Sequence, residues 1–240
     1  MKKLLITGIL LCCVLSAFPT CIAIYVAPNG YIYVAADSRR TFLLNDTPGK
    51  YESICKIHNV GKTYFAISGF DDGGLLSAAN IALKETADMD SAAYIFCTVV
   101  NARYQYLMGQ VQQYYPDKLA GFLKDGLAEI SFFGFVNGQP KVEDIQFTVR
   151  IKKNKIVVDH VIQPVGYITV IGISGDIDNA RPGELPSKQI MLEKPSVYVE
   201  SLVAYEATKQ PAAVSAPIDL LELKPDGAVW IRKNGNPDTY

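Results

Sequence analysis

Alternating apolar and polar positions predict two β-hairpins near the start of the chain. The apolar runs cover residues 24–27, 31–36, 53–58 and 62–68. The first two flank Pro-Asn-Gly at 28–30 and the last two flank Asn-Val-Gly at 59–61, residue types that favour tight turns. A polar stretch over 41–53 separates the hairpins and is predicted to be a connection.

Apolar positions with helical spacing follow the hairpins. They occur over residues 75–84, after Asp-Asp-Gly at 71–73, and over residues 92–114, after Asp90. Acidic residues are favoured in the first turn of a helix, where they interact with the helix dipole. The pattern therefore predicts two adjacent helices.

The period of two then returns and predicts a second set of strands. These strands cover residues 129–136, 141–150, 156–162 and 167–173. A helix is predicted over 197–209, and two short strands over 218–223 and 229–232 close the chain. Separate runs of strands and helices favour an α+β fold, a four-layer αββα sandwich in which two antiparallel sheets stack and helices lie outside.

The first 23 residues have the features of a secretory signal peptide. Two lysines precede an apolar run over 4–14, which is shorter than the roughly 20 residues that a membrane span needs. Cleavage after Ala23 satisfies the preference for small residues before the cut, and cleavage between 20 and 21 is the alternative. We therefore expect a secreted or periplasmic protein with one domain over 24–240 and no membrane attachment after removal of the signal.

Charge and cysteine content narrow the function classes further. The net charge is −1 and lysine and arginine form no dense run, so we expect no nucleic-acid partner. His58 and His160 have no metal-ligand spacing around them, and no metal or cofactor is expected. Cys55 and Cys97 remain after signal removal, and they either pair in an oxidising compartment or stay buried as thiols.

Three residues at predicted strand ends are candidates for chemistry. Asp37 ends the first hairpin, while Lys56 and Gly69 lie near the start and the end of the second. Asp37 and Lys56 alternatively form a structural ion pair without catalysis. Asp37 also has a second alternative as a turn cap, and Lys56 as a solvated strand-end lysine.

Five blocks in this order resemble the β-type subunits of the proteasome and their bacterial relatives, which are N-terminal-nucleophile (Ntn) hydrolases. The blocks are residues 30–39 with the AADSR corner, 55–57 followed by 65–69, 133–140, 172–175, and 218–230. They span most of the predicted mature domain. The resemblance implies the same four-layer αββα sandwich and an activity on amide bonds.

In that family the nucleophile is the first residue of the mature chain, and its own α-amino group helps to move the proton. The family's interval leads back from Asp37 to Cys21, with Thr20 as the neighbouring alternative if the hairpin carries one extra residue. Cleavage after Ala23 would discard both candidates and leave Ile24 first.

The resemblance also implies roles for the other site residues. Asp37 orients the lysine, Lys56 lowers the pKa of the nucleophile, the amide of Gly69 forms the oxyanion hole, and Ser174 supports the terminal amine. The family places an acidic residue on the last helix, just before a Ser-Gly turn that leads into the closing strand, and residues 209–216 of this chain contain none. By sequence, the support for the amine is incomplete.

Two functions remain open from the sequence. The first is an exported threonine- or cysteine-type Ntn hydrolase that cleaves amide or peptide bonds in a peptide or small amide. The second is a catalytically inactive structural or interaction subunit of the same fold. The tyrosines over 94–115 are either packing or interface residues, and a homo-oligomer or ring is implied by the resemblance only.

Overall fold

A computed structural model describes residues 17–18, 20–44, 47–70 and 73–234. The strands are β1 (Ala17–Phe18), β2 (Cys21–Val26), β3 (Ile32–Asp37), β4 (Arg39–Leu44), β5 (Thr47–Ser53), β6 (Ile57–Val60), β7 (Thr63–Phe70), β8 (Ala128–Val136), β9 (Gln139–Lys152), β10 (Lys155–Pro164), β11 (Ile168–Gly172), β12 (Ile218–Lys224) and β13 (Gly227–Arg232). The helices are α1 (Gly74–Glu85), α2 (Met89–Tyr114), α3 (Pro116–Asp125), α4 (Gly175–Asp178), α5 (Lys188–Glu193) and α6 (Pro195–Lys209). No helix in these ranges is both long and apolar enough to cross a membrane.

The strands form two antiparallel sheets and one small hairpin. The six-stranded sheet has the order β1-β7-β8-β9-β10, and β6 pairs with the same edge of β7 as β1 does, further along the strand. The five-stranded sheet has the order β11-β2-β3-β12-β13, so β2 and β3 are central strands. The hairpin of β4 and β5 stands apart from both sheets.

Three hydrophobic cores separate four layers. The helix-side core packs α1, α2 and α3 against the six-stranded sheet, and Phe96, Phe132 and Phe147 lie in it. The central core lies between the two sheets, where Ile22 and Val34 face Phe133 and Val142. The far-side core packs α6 against the five-stranded sheet. The molecule is thus an α+β sandwich with αββα layers, as the sequence predicts.

Local sequence signals explain where several elements begin and turn. Gly30 adopts a φ of 78° in the turn between β2 and β3, a conformation that glycine adopts at little cost. The helix α2 begins after Asp88, whose carboxylate accepts a hydrogen bond of 2.9 Å from the amide of Ser91. This cap satisfies one of the free donors at the start of the helix.

Several elements of the structure differ from the sequence prediction, among them the short helices α4 and α5, which were not predicted. The polar stretch over 41–53 forms most of the β4–β5 hairpin, where only a connection was predicted. The helix α3 was not predicted and begins with Pro116 at its first turn, a position that suits proline. Residues 71 and 72, predicted to precede α1, lie outside the described ranges.

The described cysteines do not pair. Cys21, Cys55 and Cys97 are free thiols, and all three are buried. Cys97 lies in the helix-side core, Cys55 in the central core and Cys21 in the far-side core. Because the six-stranded sheet separates Cys55 from Cys97, the disulfide left open by the sequence is absent, and the burial alternative is the one observed.

Candidate functional site

A buried ion pair lies at the end of the central hairpin. The Lys56 Nζ is 2.8 Å from Oδ2 of Asp37, and Oδ1 of Asp37 accepts a hydrogen bond of 2.9 Å from the amide of Cys21. Cys21 and Asp37 are fully buried, and Lys56 is 5% exposed. Both oxygens of the aspartate are therefore occupied, one by an ammonium and one by the backbone at residue 21.

The strand register explains why these residues meet. β2 and β3 pair antiparallel with Ile22 opposite Ala36, so the next position brings Cys21 beside Asp37. Lys56 lies just before β6, between Cys55 and Ile57, both of which pack in the central core. The sequence prediction that Asp37 and Lys56 form a pair matches this geometry, and the solvated alternative for Lys56 does not.

Burial and mutual attraction act in opposite directions on the charges of this site. Burial raises the pKa of Asp37, and Lys56 is the main influence that opposes it. Burial lowers the pKa of Lys56, and Asp37 is the main influence that opposes it. Burial also raises the pKa of the Cys21 thiol well above its ordinary value, and Asp37 and then Glu206 raise it further, whereas Lys56 lowers it.

The chain crosses from one sheet to the other directly at Gly69. The short strand β1 pairs with the end of β7, with Phe18 opposite Gly69, and three residues later the chain enters β2 of the other sheet. Gly69 has a φ of 107°, and a Cβ there would lie 2.5 Å from the carbonyl oxygen of Leu127. Glycine is therefore required at the position to which the resemblance assigns the oxyanion hole.

A second glycine fixes the other side of the crossing. A Cβ on Gly172 would lie 2.0 Å from the carbonyl oxygen of Thr20 and 2.4 Å from the hydroxyl of Ser68, the residue before Gly69. The amide of Ile173 donates a hydrogen bond of 2.8 Å to the same carbonyl of Thr20. Gly172 thus fits closely against both Thr20 and Ser68 of β7, and a side chain at 172 would collide with them.

The two candidate nucleophiles have different surroundings. Cys21 lies in the far-side core and Ile22 in the central core. Thr20 lies just before β2. Its hydroxyl is fully buried and has no hydrogen-bond partner within the described residues.

The structure does not bring the hydroxyl of Ser174 to the terminal residues. Within the described chain, this hydroxyl donates to Oδ2 of Asp178 at 3.3 Å, inside the short helix α4. The neighbouring Ile173 makes the contact with Thr20 instead. Support of the amine by Ser174 stays a prediction from the resemblance.

Sequence reasoning missed a carboxylate near Cys21. Glu206 on α6 is fully buried, accepts a hydrogen bond of 3.2 Å from the amide of Ile177, and interacts electrostatically with Cys21. Burial raises its pKa. The helical spacing of Val199, Leu202, Val203 and Glu206 could have placed it on the inward face. The stretch 209–216 starts after Glu206 and therefore does not include it.

Sequence reasoning also missed a tyrosine that holds the strand end beside Gly69. Tyr104 on α2 is 1% exposed and donates its hydroxyl hydrogen to the carbonyl oxygen of Phe70. A helical tyrosine inside an apolar stripe gives no signal for this role, because the partner lies 34 positions earlier in the chain.

The chain matches no protein-family model and no curated protein. The proteasome-like resemblance therefore remains a prediction that rests on the five sequence blocks. The geometry itself offers a buried ammonium and carboxylate, a glycine-lined crossing of the chain, and two nucleophile types at positions 20 and 21. Such a set suits nucleophilic attack on a carbonyl carbon next to a new chain terminus.

Proposed function

We propose that this protein is an Ntn hydrolase, similar to proteasome β-type subunits, which cleaves amide bonds after its own leader is removed. The observation that carries the proposal is the position of two strand ends. Phe18 lies opposite Gly69 of the six-stranded sheet, and the amide of Cys21 donates to Asp37 of the five-stranded sheet, which pairs with Lys56. An Ntn hydrolase needs these groups around its first residue. A purely structural sandwich has no need of a buried lysine there, because burying charge is costly.

Thr20 is the nucleophile of this proposal. Its hydroxyl is buried and unpartnered within the described residues, whereas the Cys21 thiol packs in the far-side core. Burial raises the pKa of that thiol, which leaves little thiolate at neutral pH. Cys21 is the second candidate because Asp37 and Lys56 both interact with it.

The chemistry follows from these positions. The Thr20 oxygen attacks the carbonyl carbon of the substrate amide while its proton passes to the free α-amine of the same residue. Lys56 stabilises the developing alkoxide by its charge, and the Gly69 amide donates to the oxyanion. The C–N bond then breaks, the leaving amine takes the proton, and water hydrolyses the resulting ester.

The strand β2 supports a mature chain that begins at Thr20 or Cys21 and opposes one that begins at Ile24. Residues 21–23 are fully buried and pair with Gly172, Ile171 and Val170 of β11, and Ile22 and Ala23 also pair with β3. Cleavage after Ala23 would remove half of a central strand. We therefore propose that the leader ends before β2, in a protein that is exported.

The mature terminus is the first test. The full chain is produced with its leader in a secreting host, and the N-terminus and intact mass of the exported protein are determined. We expect Thr20 as the first residue. A chain that begins at Ile24 contradicts the enzyme proposal and supports the inactive structural subunit.

The second test separates the two nucleophiles. A panel of fluorogenic peptide amides is assayed with the mature wild type and with Thr20→Ala, Cys21→Ala and Lys56→Ala. Thr20→Ala and Lys56→Ala should each lower kcat by about 10³-fold or more, whereas Cys21→Ala should retain most activity. Full activity of Thr20→Ala with loss in Cys21→Ala would transfer the role to Cys21.

Short or unfolded peptides and small amides are the proposed substrates, since the proposal includes no unfolding partner. Assembly into a homo-oligomer or ring is part of the proposal through the resemblance alone. Sedimentation of the mature chain at micromolar concentration tests it, with a monomer as the opposing result.

A further inference from the structure

A carboxylate of the six-stranded sheet reaches across to the backbone of the five-stranded sheet. Oε2 of Glu129 on β8 accepts a hydrogen bond of 2.6 Å from the amide of Gly172, the last residue of β11. Its neighbours Ala128 and Ile130 pack in the helix-side core, so strand alternation directs Glu129 towards the other sheet. Oε1 accepts a hydrogen bond of 2.9 Å from the side-chain amide of Gln146 on β9. Both oxygens of this carboxylate are therefore occupied.

The strand register places Glu129 in the middle of a row of three polar side chains. Ser68 on β7 lies opposite Glu129 on one side, and Gln146 on β9 lies opposite it on the other. A Cβ on Gly172 would lie 2.4 Å from the hydroxyl of Ser68, so Gly172 lies directly against this row. Ser68 and Glu129 therefore contact Gly172 together, from neighbouring strands.

Gly172 is also the residue that meets the start of β2. It pairs with Cys21 in the five-stranded sheet, and a Cβ on it would lie 2.0 Å from the carbonyl oxygen of Thr20. The amide of the next residue, Ile173, donates to that same carbonyl at 2.8 Å. The hydrogen bond of Glu129 is thus one residue away, along the backbone, from the hydrogen bond that holds Thr20.

A second carboxylate ties the other end of β11 to the six-stranded sheet. Asp144 on β9 accepts a hydrogen bond from the hydroxyl of Thr169, near the start of β11. Thr169 pairs with Ile24, further along β2. Of these two ties, the one made by Glu129 lies at the end of β11 that contacts Thr20.

We propose that Glu129 is a positioning residue, which holds the amide of Gly172 and thereby fixes the end of β11 against which Thr20 lies. The consequence for catalysis rests on the proposed function, whereas the holding of Thr20 does not. A hydrogen bond to a charged acceptor is stronger than one between neutral groups, so Glu129 holds this amide more firmly than a neutral acceptor would. Gln146 in turn keeps the carboxylate directed at the amide.

Hydrogen exchange of single backbone amides in the full-length chain, followed by NMR, tests the holding of Thr20. The reporter is the amide of Ile173, which bonds to Thr20 and not to Glu129. We expect Glu129→Ala to raise its exchange rate by about tenfold or more, relative to the amide of Val34 in the central strand β3, which reports opening of the whole protein. Should Glu129→Ala fail to fold, Glu129→Met has a similar length and also lacks the acceptor.

Two further variants control the exchange experiment. Glu129→Gln keeps an acceptor oxygen and should leave the Ile173 rate within about threefold of wild type. Asp144→Ala removes the tie at the other end of β11 and should also stay within about threefold. An unchanged Ile173 rate in Glu129→Ala would overturn the proposal. An equal rise in Asp144→Ala would overturn it as well, because β11 would then move as a whole.

Activity separates this inference from the proposed function. If the wild type hydrolyses amides, Glu129→Ala should lower kcat by about 10-fold to 100-fold with KM nearly unchanged, and Glu129→Gln should restore most of the loss. A change in KM alone, or no rescue by glutamine, would contradict an action through the position of Thr20. If the wild type is inactive and the Ile173 rate still rises, the hydrolase proposal falls while the holding of Thr20 by Glu129 stands.

Discussion

The two faces of the six-stranded sheet pack against very different layers. On the helix side, aromatic rings meet edge to face, with Phe96 and Phe132 centred 5.4 Å apart and Tyr104 and Phe147 also 5.4 Å apart. On the other side, the layer between the sheets has an apolar core, and the buried ion pair of Asp37 and Lys56 joins the two sheets at one end. The aromatic packing stabilises the folded protein. The buried charges lower its stability unless each of them has a partner in the right geometry.

The largest effect is expected in the helix-side core. Phe147→Ala removes a ring that contacts Phe96, Tyr104 and His160, and should lower the free energy of unfolding by about 4 kcal/mol. Urea denaturation measures this change. Tyr106→Ala on the exposed side of α2 is the control and should change stability by less than about 0.5 kcal/mol. A loss below about 1 kcal/mol for Phe147→Ala would contradict the assigned role of this core.

The next largest loss of stability is expected for changes in the ion pair of Asp37 and Lys56. Asp37→Asn or Lys56→Met alone leaves one charge buried and should cost about 3 kcal/mol. The double variant should cost clearly less than the sum of the single changes, because neither charge remains. Urea denaturation of all four proteins gives the coupling free energy of the pair. Simple additivity would mean that the two side chains do not depend on each other.

A smaller effect is expected at the crossing of the chain. Gly172→Ala places a methyl group against the carbonyl of Thr20 at a φ of 90°, and should cost about 2 kcal/mol. Thermal denaturation measures the loss. Gly166→Ala is the matched control, because a Cβ at 166 would meet nothing within 4 Å. Equal melting temperatures for both variants would show that Thr20 and β7 are not held together closely.

The smallest effect is a dependence of stability on pH that arises from one buried carboxylate in the layer between the sheets. Burial raises the folded-state pKa of Asp144 above its ordinary value, while Ser131 and Thr169 oppose the shift. The folded protein therefore binds the proton more tightly than the unfolded chain does, and stability should rise as pH falls from above the folded-state pKa towards the ordinary value near 3.8.

The Asp144→Asn variant should not show this increase in stability as the pH falls. Urea denaturation at several pH values measures the difference. Asp159→Asn, which removes an exposed charge on β10, controls for the change in net charge. The cost of Phe147→Ala should be the same at each pH, because no ionisable group is removed. A pH-independent difference between wild type and Asp144→Asn would argue against the raised pKa.

Local sequence patterns were sufficient to predict most helices and strands and one pair of site residues. The turn at Gly30 and the alternation around it predict β2 and β3, and helical spacing predicts α2 and α6. Asp37 and Lys56 were found because each ends or begins a predicted strand. Such signals lie within a few neighbouring residues, so a single sequence carries them.

Contacts between segments that are distant in the sequence could not be predicted from such local patterns. The β4–β5 hairpin was missed because most of its residues are polar, and its strands pair with neither sheet. The burial of Asp219 gave no signal, since it depends on the pairing of β12 with β3. The surroundings of Thr20 and Cys21 likewise depend on the assembled layers and not on the residue types.

The distribution of cysteines, one in each core, gives the protein three internal reporters of its own breathing motions. A thiol-specific reagent can modify Cys21, Cys55 or Cys97 only when the layer around that residue opens. The rate of each modification, followed by mass spectrometry of the digested protein, therefore measures the opening free energy of one layer. Three rates from a single unlabelled sample would rank the layers of the sandwich by local stability.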